Sequence, residues 1–117
     1  MSNGIGKSGT EWQDDELDVI VDDYFEMLAA ELSGRSYVKS AHSSALISRL
    51  GRTHGSLEYK HRNISAVLDV LGMPWILGYK PMHNYPNAIF DAIERLFDRA
   101  PRGSRSRIDH APNSNSY

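Results

Sequence analysis

Apolar residues recur largely at three- and four-residue steps through Trp12, Leu17, Ile20, Val21, Tyr24, Phe25, Leu28 and Leu32. This is the period that lines up side chains on one face of an α-helix. Carboxylates occupy most of the intervening positions, so the pattern predicts an amphipathic first helix. Thr10 is placed to cap it, and Glu11, Asp14, Asp15 and Glu16 lie at the positive end of its dipole. Gly34 marks its end. A second, weaker helix is predicted over 38–50, with Val38, His42, Ala45, Leu46 and Leu50 on one side and Gly51 as its C-terminal stop.

The third helix is predicted to start near Thr53 or Gly55, with Thr53 as cap. Leu57, His61, Ile64, Leu68 and Leu71 share one face, which is expected to pack on the first helix. Glu58, Tyr59, Arg62, Asn63 and Ala66 are left to the outer face, with Arg52, Thr53, His54 and Ser56 at its entrance. Gly72 and Pro74 end the helix, since proline cannot continue the hydrogen-bond ladder. Residues 75–84 hold two aromatic and three large aliphatic side chains, a load that predicts an ordered loop. A fourth helix follows from about Pro86 to Arg99, burying Ile89, Ile93, Leu96 and Phe97.

The expected fold class is all-α: a small bundle of about four helices in which helix 2, a glycine turn and helix 3 pair like a helix-turn-helix. Residues 11–99 form the domain. Residues 1–10 and 100–117, rich in Gly, Ser, Asn and Arg, are expected to be disordered. A domain of this size leaves little room for a deep enzyme cleft. The sequence has no cysteine, which excludes disulfides and thiolate metal sites and is compatible with a reducing cytosol. No apolar leader opens the chain and no run approaches the roughly 20 apolar residues that cross a bilayer, so the expected location is cytoplasmic, away from any membrane.

Charge is nearly balanced, with 13 Lys plus Arg against 15 Asp plus Glu. Its distribution is not. Residues 11–32 carry nine acids and no base, whereas 35–62 carry Arg35, Lys39, Arg49, Arg52, Lys60 and Arg62 against the single acid Glu58. Segregation of this kind orients a polyanion toward one face and repels it from another. The competing reading is that the acidic first helix pairs with basic neighbours inside the fold.

A turn followed by an amphipathic helix with cationic and hydrogen-bonding groups outside is the build of a nucleic-acid recognition helix. The candidate DNA-contacting residues are Arg49, Arg52, Thr53, Ser56, Tyr59, Lys60, Arg62 and Asn63. Arg52 and Lys60 suit phosphate contacts, or are ordinary solvated charges. Asn63 suits adenine recognition, or holds a neighbouring loop through a side-chain-to-backbone bond. Tyr59 either stacks on a base or sugar or packs beside Trp75. Tyr79 and Lys80 either extend the surface or cap the core. The tail arginines Arg102, Arg105 and Arg107 add sequence-independent attraction.

The pattern Glu11-Trp12, Glu16-Leu17, Tyr24-Phe25, Leu50-Gly51-Arg52, Gly55-Ser56-Leu57-Glu58-Tyr59-Lys60 and Asn63-Ile64-Ser65-Ala66-Val67-Leu68 resembles an N-terminal helical domain of bacterial proteins. There it precedes HNH-nuclease or other restriction- and defence-associated domains. The stretch Leu71-Gly72-Met73-Pro74-Trp75-Ile76, Gly78-Tyr79-Lys80-Pro81 and Asn84-Tyr85 continues the similarity, which spans about residues 11–97. A looser likeness is to Myb-like helix-turn-helix domains, with their early Trp, acidic first turn and Ser-x-x-x-Lys step, here Ser56 and Lys60. The resemblance implies a DNA-targeting or DNA-sensing module acting on double-stranded DNA beside a partner nuclease. No nuclease domain follows residue 99, so cutting by this chain is not implied.

Other motifs lead nowhere. Gly4-Ile5-Gly6-Lys7-Ser8 imitates the end of a P-loop, but the first required glycine falls on Met1. His54, His61 and Asn63, or His42 with His61, lack the ligand set of an HNH or metal site. No catalytic residue, cofactor or metal is therefore expected. The leading expectation is a non-enzymatic DNA-binding module. The alternative is a protein–protein interaction module docking through the acidic first helix or the Trp75–Tyr85 loop.

Overall fold

The computed structural model describes residues 11–99; the expectations for 1–10, including the Thr10 cap, and for 100–117 lie outside the described residues. Four helices follow in order: α1 (Asp14–Leu32), α2 (Lys39–Leu50), α3 (His54–Val70) and α4 (Asn87–Arg99). No strand occurs among the described residues. The fold is the expected all-α bundle, and α1 touches each of the other three helices.

Local chemistry sets the boundaries. Trp12 precedes α1 rather than belonging to it, because Gln13 is the N-cap and its backbone N–H donates to Glu16 Oε1 at 2.9 Å. That return bond from the third helical position satisfies an amide the helix itself leaves open. Gly51 ends α2 at φ 70°, a left-handed conformation that glycine takes without penalty. Thr53 then caps α3, its hydroxyl accepting from the Ser56 N–H at 3.1 Å. Gly72, at φ 73°, turns the chain out of α3.

The core is formed by Leu17, Ile20 and Met27 of α1, Leu57, Ile64 and Leu68 of α3, Ile76 of the following loop, and Ile89 and Ile93 of α4, all fully buried or within 1% of it. Each contributes about 1.5–3 kcal/mol through removal of its side chain from water. Tyr24 ties the loop to this core. Its hydroxyl accepts from the Ile76 N–H at 2.9 Å and shares a 2.7 Å hydrogen bond with Ser65.

Two features depart from the expected pattern. Leu32, Val38 and Leu71 belong to the predicted apolar stripes but are 62%, 61% and 43% exposed. Each stands at a helix end, where no neighbouring element continues far enough to cover it. More consequentially, residues 63–68 of α3 are all buried. Six consecutive residues exceed one helical turn, so no face of α3 is open there. Like α1, it packs against all three other helices.

Candidate nucleic-acid interface

Two of the expected DNA-contacting side chains are internal. Arg52, only 2% exposed, donates from Nε to Glu16 Oε2 at 3.0 Å and from a terminal nitrogen to Glu16 Oε1 at 2.8 Å. The guanidinium also donates to the Glu11 carbonyl and lies 4.6 Å from the Trp12 ring centroid. This two-pronged pair joins the turn before α3 to the start of α1, and it leaves Arg52 unable to meet a phosphate. Asn63 is fully buried and donates through Nδ2 to the Met82 carbonyl at 2.8 Å. The loop-holding alternative for Asn63 is the arrangement observed, and recognition of a base by this residue is corrected.

The cover over α3 is the segment 79–85. Met82 N–H donates to the Arg62 carbonyl, Arg62 Nε donates to the Lys80 carbonyl at 2.9 Å, and Asn84 Nδ2 donates to the Tyr59 hydroxyl at 2.7 Å. His83 adds a contact to Asp69 at 3.1 Å. The expected outer face of α3 is thus roofed at Asn63 and Ala66. Beneath the roof, His61 stacks on Tyr79 with ring centroids 4.5 Å apart. Burial, with the nearby cation Lys39, pushes the His61 imidazole down from 6.5 to about 4. Neither of its ring nitrogens has a partner among the described residues.

The remaining candidates separate into two groups. Arg49 is exposed at the end of α2 and lines a shallow cleft with Asp22, Asp23 and Glu26, an acidic setting that disfavours phosphate. Thr53 is engaged as the α3 cap, and Ser56 is half-buried in the first turn. Arg62 instead meets the Lys80 carbonyl of the loop, and Tyr59 stands between this contact and Lys60, which leans toward Trp12. Tyr59 is 38% exposed and held by Asn84; the Lys60 ammonium lies 5.8 Å from the Trp12 ring centroid and 6.0 Å from that of Tyr59. Partial burial and the neighbouring Arg52 cation lower the Lys60 pKa.

Charge pairing sorts the basic side chains without isolating this face, since Arg35, Lys39 and Arg49 also make no ion pair among the described residues. Elsewhere, Glu16 pairs with Arg52, Asp23 with His42, Asp18 with Arg95 and Asp22 with Arg99. The reading that α1 neutralises basic neighbours inside the fold therefore holds for Glu16, Asp18 and Asp22, although the partners Arg95 and Arg99 come from α4; Asp23 and His42 share a hydrogen bond at 2.8 Å. Lys60, Arg62 and Lys80 make no ion pair among the described residues. The Nε bond to Lys80 fixes the Arg62 guanidinium while leaving its terminal nitrogens unengaged among those residues. Asn84 was not singled out from the sequence as a site residue; its role depends on a contact 25 positions away, for which no short-range signal exists.

Comparison with protein-family models, with curated proteins and with solved structures found no match. Among the described residues no group of three or more His, Cys, Asp or Glu is disposed to hold a metal ion, and no helix is long and apolar enough to cross a membrane.

Proposed function

We propose that this chain is a non-enzymatic DNA-binding module that meets the backbone of double-stranded DNA through the face formed by α3 and the 79–85 loop. The supporting observation is that the Arg62 guanidinium is joined to the Lys80 carbonyl at 2.9 Å on this face, with Lys60 beside Tyr59, and that none of these three cations has a carboxylate partner among the described residues. Such groups attract phosphates and release the counterions condensed on the duplex. Arg62 is suited to a two-pronged phosphate contact because its guanidinium plane is already fixed.

This reading differs from insertion of α3 into the major groove. With Asn63 covered and Arg52 paired, base-edge recognition along the middle of α3 has no side chain to perform it, so affinity rests on the backbone. Tyr59, exposed beside Lys60, adds a surface for sugar contact. In this proposal the module targets or senses DNA on behalf of a partner, and the resemblance to domains that precede nucleases makes a nuclease the effector to test.

Fluorescence anisotropy of a labelled duplex at two salt concentrations tests the proposal. Binding at low ionic strength is expected, with the slope of log K against log salt falling by about one for each of Arg62→Ala and Lys80→Ala. Absence of binding at low salt, or slopes unchanged in both variants, overturns it.

A further inference from the structure

A second surface lies at the far end of α3. Val67 and Leu71 of α3, Met73 beyond it, and Phe90, Ile93 and Phe97 of α4 line an apolar cleft of about 350 Å³. Its volume is enough for one or two large side chains. Leu71 is 43% exposed and the adjacent Val70 is 61% exposed, so apolar surface continues beyond the cleft. Isolated exposed leucines are ordinary, but an apolar concavity with an apolar rim is the mark of a docking site.

The charge beside the cleft defines the occupant. Glu94 forms part of its lining, and Asp91 lies one turn earlier on α4. Both are exposed; Glu94 makes no ion pair among the described residues, whereas Asp91 lies outside the lining and within electrostatic reach of Arg95. The α4 arginines are turned the other way, with Arg95 bound to Asp18 and Arg99 to Asp22 of α1. A partner seated here meets hydrocarbon at the centre and the unpaired Glu94 carboxylate at one edge. The cleft runs between two helices, and the described residues contain no strand edge for an extended peptide to join.

We infer that the α3–α4 cleft is a docking site for an amphipathic helix of a partner protein, one whose apolar anchors are flanked by Lys or Arg on the side facing α4. Apolar side chains spaced three and four residues apart fill the cleft, as in other helix-in-groove complexes, and the basic flank selects orientation by facing Glu94. Met73 lets the wall adjust to the shape of the anchor. This surface uses none of the residues assigned to DNA, so both contacts can be made at once.

The test uses the full chain, isotopically labelled for amide NMR, and two synthetic helical peptides. Both peptides carry leucines at helical spacing; one is flanked by lysines and the other by glutamates. The lysine peptide is expected to shift amides within 67–73 and 90–97 and to bind about tenfold tighter than the glutamate peptide. Glu94→Lys should reverse that preference, and Leu71→Asp should weaken both peptides. Both side chains are exposed, and far-UV circular dichroism verifies that the variants stay folded. Equal affinities, no binding by either peptide, shifts elsewhere in the chain, or a concentration-dependent dimer occupying the same amides overturns the inference.

Discussion

Arg52 and His61 both lie in the core, with opposite physical consequences. The Arg52 guanidinium is matched by the Glu16 carboxylate, so removing either partner leaves a charge stranded away from water. Arg52→Ala and Glu16→Ala are each expected to lower stability by about 3–5 kcal/mol in denaturant titrations. Arg52→Lys should lose much of the same stability, because an ammonium cannot reproduce the two-pronged geometry. His61 has no such match. Its folded-state value of about 4 lies below the 6.5 of the unfolded chain, so its neutral form favours the fold above pH 6.5. As pH falls toward 4 the unfolded chain takes up a proton that the folded chain refuses, removing stability of order 3 kcal/mol. His61→Phe keeps a ring against Tyr79 and removes two unpartnered nitrogens. It should flatten the pH dependence between 6.5 and 4, as read from urea midpoints across that range. A full pH slope in the variant would show that other groups carry it.

At the scale of elements, the decisive arrangement is the loop laid over α3. Helix positions, the Thr53 cap and the Gly51 and Gly72 stops follow from short-range chemistry and were legible in the sequence. The roofing of α3 was legible only as one of two readings of Asn63, because it depends on pairs such as Asn63 with Met82 and Arg62 with Lys80, separated by 19 and 18 positions. A polar side chain on the face opposite an apolar stripe reads as solvent-facing whether or not a later segment returns to cover it. The same limit applies to Arg52, whose partner Glu16 lies 36 residues away. Asn63→Ala removes the donor that holds the Met82 carbonyl and is expected to destabilise the protein by about 1–2 kcal/mol. Hydrogen exchange should localise the effect, with the Met82 amide losing protection while α1 amides retain theirs relative to global unfolding. Uniform loss across the chain would mean that the loop is not a separable cover.

Across the whole molecule, residues 11–99 hold nine Lys and Arg against fourteen Asp and Glu, so bulk attraction for DNA is absent from this part of the chain. Affinity must then depend on where the cations stand. Arg52, Arg95 and Arg99 are engaged by α1 carboxylates; Lys60, Arg62 and Lys80 have no such partners among the described residues, and neither do Arg35, Lys39 and Arg49 elsewhere on the chain. A charge-matched comparison separates location from net charge: Arg62→Ala/Lys80→Ala against Arg35→Ala/Arg49→Ala, each removing two exposed or half-exposed cations. With a labelled duplex at low and moderate salt, the first double variant should lose at least about tenfold in affinity and about two from the salt slope, while the second stays within about threefold of the unaltered protein. Equal losses in the two variants, or a greater loss in the second, would contradict DNA binding through the α3–loop face.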